Sequence, residues 1–176
     1  APPDPQHRCG TRYPVLMCDA HPMRWWNFLL VLVHVGVGAL WWGAMSYSLT
    51  VAQPRITRLF GTPVAAEEAY RELAAGNRRR VVGLIGVLAA SGAALVALAG
   101  PRPYGWWLLI AAKGLLLVLA SGLFWWVSWR GWPRRLFALP DELPPLQRRF
   151  RQIAIGLVAS VGTAFVLGVA AATLTG

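Results

Sequence analysis

The chain has no carboxylate inside any of its long apolar runs, no glycine-rich loop of phosphate-binding type, and no stretch long enough for a separate soluble domain. The first absence argues against a cation-coupled pump built on a buried acid, and the second against a nucleotide site. Charge of either sign is sparse: 14% of the 176 residues are charged against 56% hydrophobic, too apolar a balance for an ordinary soluble domain. Acids are the scarcer sign, seven against seventeen basic residues, for a net charge of +10. Such an excess can recruit phosphates, but the arginines lie in the connections between apolar runs, so nucleic acid is not expected as a partner. No internal repeat is evident.

What is present is a set of four long apolar runs, at about 25–50, 81–99, 105–129 and 153–174. A hydrocarbon core of about 30 Å takes roughly 20 helical residues to cross, so each run reads as a transmembrane helix. The expected fold is all-α, a four-transmembrane-helix bundle occupying 25–176, preceded by a tail at 1–24. Six arginines fall between the first two runs (Arg55, Arg58, Arg71, Arg78, Arg79, Arg80) and six between the last two (Arg130, Arg134, Arg135, Arg148, Arg149, Arg151). The positive-inside rule places both connections in the cytoplasm and both termini on the non-cytoplasmic side, in the cell (inner) membrane. Tryptophans near the run ends (Trp25, Trp26, Trp106, Trp107; Trp125, Trp126, Trp129, Trp132) read as aromatic belts at the two interfaces.

In the first cytoplasmic connection, Thr62 as N-cap, Pro63 at the first helical position and Gly76 as the stop predict a short interfacial helix. Arg78–Arg80 follow it and would lie among anionic headgroups. The second connection, interrupted by Pro133, Pro140, Pro144 and Pro145, is expected to be largely irregular. The tail has no apolar run that would serve as a signal-peptide core. It places His7, Cys9, Cys18 and His21 close together. A Cys9–Cys18 disulfide is the plain reading, with free thiols or a Cys2His2 metal site as alternatives.

Away from the run ends the apolar segments contain two ionisable side chains, His34 in the first and Lys113 in the third. Intramembrane ionisable groups default to a functional hypothesis. Both runs are expected to cross in the same direction from a Trp pair, His34 eight residues past Trp26 and Lys113 six past Trp107, so their depths differ by about 3 Å. Helical spacing puts Gly38, Trp41 and Met45 on the His34 face, a glycine gap beside a large aromatic. Ser91 and Thr163 fall near the same level. Neutral imidazole is a common haem ligand, and Lys113 is suited to pair with a propionate. A hydrogen-bonded structural histidine with a snorkelling lysine, a chlorophyll-type pigment, and a proton relay stay open beside it. Small residues in the second run (Gly83, Gly86, Ala89, Ala90, Gly92, Ala93) and the fourth (Gly156, Gly162, Gly168, Ala172) permit close helix approach, within the bundle or to other subunits.

The first run reads His34-Val-Gly-Val-Gly-Ala-Leu-Trp41-Trp-Gly43, followed by Tyr47, Pro54 and Arg55. It resembles the first helix of a superfamily that includes the copper resistance D proteins, the HemJ-type protoporphyrinogen oxidases and the membrane part of a urate oxidase. The third run, with Lys113 leading a leucine-rich stretch, looks like the lysine-bearing helix of the HemJ-type enzymes. The resemblance implies a haem b protein with His34 as iron ligand, Gly38 and Trp41 beside the cofactor, and Lys113 as the second functional residue. The alternative expectation is an accessory subunit, without cofactor, of a larger respiratory or photosynthetic membrane complex. Either way the partners expected are the lipid bilayer and other membrane subunits or further copies of the chain.

Overall fold

The computed structural model describes residues 22–173, and every regular element among them is helical. The tail residues His7, Cys9, Cys18 and His21, with the expected disulfide, lie outside the described residues. Four helical rods are long and apolar enough to cross a bilayer: Trp25–Phe60, Asn77–Ala97, Tyr104–Leu136 and Leu143–Thr173. These mark the all-α bundle of a multi-pass membrane protein.

Three of the rods outrun the apolar runs, and proline chemistry explains how. Helix α1 (Pro22–Tyr47) passes through a π-helical turn (Ser48–Ala52) into α2 (Gln53–Phe60). Pro54 lacks an N–H and its ring crowds the preceding turn, and the wider π turn just before it accommodates both effects without ending the helix. The third rod repeats the device. Helix α5 (Tyr104–Trp126) passes through a π turn (Val127–Gly131) into α6 (Trp132–Leu136), which carries Pro133. Despite the absence of an obvious repeat in the sequence, the two rods end alike, with a π turn, one residue, proline and arginine. His34 and Lys113 each stand fourteen residues before the first residue of the π turn.

The second connection corrects the expectation of irregular chain. Helix α7 (Leu143–Thr173) starts well before the apolar run, and Pro144 and Pro145 lie in its first turn. There the missing N–H groups have no intrahelical acceptor to lose.

The short interfacial helix, α3 (Pro63–Ala74), forms where it was expected: Thr62 Oγ1 accepts from Ala65 N–H at 3.2 Å, and Gly76 takes the left-handed conformation at φ 71°. Tyr70 ties α3 back to α2, its hydroxyl donating to the Gln53 carbonyl at 3.1 Å. Helix α4 (Asn77–Ala97) begins with Arg78–Arg80 in its first turns.

Helix α1 packs on α4 and α7, and α7 packs closely on α5, whereas α4 and α5 hardly touch. The core at the centre contains Trp41, Val81, Leu88, Ala120, Leu157 and Val161. Trp41 is 2% exposed and Ala120 fully buried, a large side chain and a small one sharing the same cluster. The glycines of α7 serve internal packing: Gly156 meets Leu123, Gly162 lies under the Trp42 indole, and Gly168 faces the Lys113 ammonium. Gly83 and Gly86 on α4 meet nothing within 4 Å.

Candidate functional site

His34 is fixed by a proton chain that begins in the backbone of α4. Ser91, buried, donates its single hydroxyl proton to main-chain carbonyls one turn back, at 2.6 Å to Val87 and 3.3 Å to Leu88. With that proton committed, the Ser91 oxygen faces His34 Nδ1 at 2.8 Å as an acceptor. An Nδ1–H that donates to this oxygen is the tautomer the geometry accommodates, and it leaves Nε2 with its lone pair. Such an arrangement turns Nε2 away from Ser91 and holds the ring in one orientation.

The opposing backbone makes room for the ring. A Cβ at Gly92 would lie 3.1 Å from His34 Cε1, tighter than ordinary contact, so the glycine next to Ser91 lets the imidazole approach α4. Lys113 is housed in a similar way on the other helix pair. A Cβ at Gly168 would lie 2.8 Å from its ammonium nitrogen. Among the described residues no carboxylate pairs with Lys113. The two side chains have different neighbours, His34 against Ser91 and Gly92 of α4 and Lys113 against Gly168 of α7, and both are half-buried.

The remaining residues of the expected layer are placed differently. Gly38 faces Leu88, whose Cδ2 would sit 3.7 Å from an added Cβ, and Trp41 is in the packed core with Met45 against it. These two positions hold α1 against its neighbours. The Trp41 indole N–H is buried and has no acceptor among the described residues. Thr163 is exposed, so it does not join the buried layer with Ser91.

Residues that the sequence reading left unassigned form a polar knot at the arginine-rich end. Arg135 and Glu67, 8% exposed at each side chain, approach to 2.7 Å between Nε and Oε1. The contact is a close ion pair off the hydrogen-bond line. The Arg135 guanidinium carbon lies 5.1–5.3 Å from the ring centres of Tyr70, Trp132 and Phe150. Gln147 donates to the second Glu67 oxygen at 3.4 Å. Nearby, Arg78 covers Trp129 and Arg149 covers Trp126, each at 4.8 Å, so these tryptophans carry arginines. The signal for the knot was an acid and an arginine in two separate connections, and nothing in their spacing joins them.

No cluster of three or more metal-binding side chains occurs among the described residues. A lone oriented imidazole suits a metal that brings its own equatorial ligands, as a porphyrin does. Comparison with family models, curated proteins and solved structures finds no match.

Proposed function

We propose that this protein is an integral membrane haem b-binding protein, in which His34 would hold the iron through Nε2 and Lys113 would be the cation for a propionate. The observation that carries the reading is the Val87–Ser91–His34 chain, which engages Nδ1 and leaves Nε2 as the ring nitrogen for a ligand. The residues present fit the group: one imidazole with Nδ1 engaged, a glycine that gives the ring clearance, and a half-buried ammonium without a carboxylate. When bound, haem b supplies one-electron redox chemistry. The chain's own part is to orient the ring through Ser91 and to balance the charge of a carboxylate through Lys113. On this reading the arginine-rich end is cytoplasmic and the termini lie outside.

The test is the haem content of the purified protein per chain, by pyridine haemochrome, for the native sequence and for His34→Ala. About one haem per chain, lost in the variant, supports the reading; haem that His34→Ala retains removes His34 as ligand.

A second reading, an accessory subunit of a larger complex, is favoured by the uncovered glycines Gly83 and Gly86 of α4, which leave a small-residue face for another helix. Co-migration with larger membrane partners on a native gel, lost on Gly83→Leu and Gly86→Leu, would support it.

A further inference from the structure

The knot between α3 and α6–α7 borders a cavity of about 190 Å³ at the arginine-rich end. Its charged lining is two acids and two arginines, Glu67, Glu68, Arg71 and Arg135, so its formal charge is zero. The charges occur at two depths. Glu67 and Arg135 are buried in their pair, whereas Glu68 and Arg71 are exposed and pair at 3.2 Å. Arg135 uses Nε toward Glu67, and its two terminal nitrogens have no acceptor among the described residues. Guanidinium donors that are accessible at the cavity and have no acceptor fit a phosphate or carboxylate oxygen. A simple anion would also face Glu67 and Glu68, and a simple cation would face both arginines. A zwitterion with its two charges a short distance apart satisfies both sets.

The rim decides what carries that zwitterion. Val64, Leu136 and Leu143 line the cavity, Val64 and Leu136 are exposed, and Phe137 and Leu139, next to lining residues in the chain, are exposed apolar side chains as well. The cavity is at the end of the bundle where the four rods carry their arginines, so a bilayer crossed by the rods would bring headgroups and first methylenes to these side chains. We propose that the cavity binds a phospholipid with an aminoethyl phosphate headgroup, its phosphate on Arg135 and Arg71 and its primary ammonium on Glu68, with the acyl chains lying over the apolar rim. Occupancy would tie the first connection to the second at the point where α3 meets α6 and α7.

The test is native mass spectrometry of the purified full chain in micelles doped with dioleoyl phosphatidylethanolamine, phosphatidylcholine or phosphatidylglycerol. Phosphatidylethanolamine is expected to be retained in preference to both others, because the choline headgroup lacks ammonium N–H donors and the glycerol headgroup lacks the cation. Glu68→Gln should erase that preference, and Arg71→Gln should weaken retention of all three by roughly fivefold, the scale of an exposed charge contact. Both substitutions are on exposed side chains and leave the buried pair in place. Equal retention of the three lipids, a preference for phosphatidylglycerol, or a preference unchanged in Glu68→Gln overturns the proposal. Full displacement by soluble phosphoethanolamine would assign the cavity to a free metabolite and overturn the lipid assignment.

Discussion

His34 Nδ1 and Ser91 Oγ lie 2.8 Å apart, and the serine's proton is already directed to the backbone of its own helix. That relationship engages one ring nitrogen rather than merely filling a gap between α1 and α4. It makes the imidazole a base or ligand on the side away from Ser91.

Replacing Ser91 by alanine should therefore weaken haem retention without abolishing it. Outer partners of a metal-ligating histidine typically change affinity by about 10–100-fold. Haem titration of Ser91→Ala is the check, and Ser91→Thr, which keeps the hydroxyl, should recover most of the loss. If Ser91→Ala leaves the affinity unchanged, the proton chain has no part in binding.

Two glycines with nearly equal clearance should respond differently to alanine. A Cβ would fall 2.7 Å from Phe150 Cζ at Gly131 and 2.8 Å from Lys113 Nζ at Gly168. The phenyl ring is rigid and lies in a tight knot, so Gly131→Ala should destabilise by about 1–3 kcal/mol. The lysine end swings aside, so Gly168→Ala should change thermal stability little while shifting ligand affinity through Lys113. Thermal unfolding in detergent measures the difference.

The Glu67–Arg135 pair should show strong non-additivity. Removing one partner leaves a buried charge alone, at a cost of about 3–5 kcal/mol. Replacing both, Glu67→Leu with Arg135→Met, should cost less than either single change. A double-mutant cycle on unfolding free energies checks this, and purely additive effects would mean that the two side chains do not interact.

Trp41 predicts a contrast within one position. It is 2% exposed in the core, so Trp41→Ala should cost about 3–5 kcal/mol through the void it leaves. Trp41→Phe removes an indole N–H that has no acceptor and retains most of the packing, and should be much milder. Comparable losses for both would require the indole nitrogen to have a partner.

Much of the fold was legible because its signals are local. Run length identified the four spans, and Thr62, Pro63 and Gly76 delimited α3 through capping and turn chemistry that depends on adjacent residues alone. The prolines misled for the same reason. Pro133 read as a break, but a π turn absorbs it, as another does Pro54, and Pro144 and Pro145 fall where a helix can begin. At the site, His34 and Lys113 stood out as polar groups in apolar runs, and the level of Ser91 followed from counting along α4. Rotation was the part that counting missed: Thr163 is exposed, and Trp41 faces the core. The Glu67–Arg135 knot was invisible because its partners meet only after four helices have packed.

The most direct measurement is a reduced-minus-oxidised absorption spectrum of His34→Gly, recorded with and without added imidazole. The haem Soret and α bands of the native protein should be lost in the variant and return with imidazole, which re-enters the space beside Ser91 and Gly92. Native protein without a haem spectrum, or a variant whose bands are unchanged before imidazole is added, would contradict the assignment of His34 as the ligand.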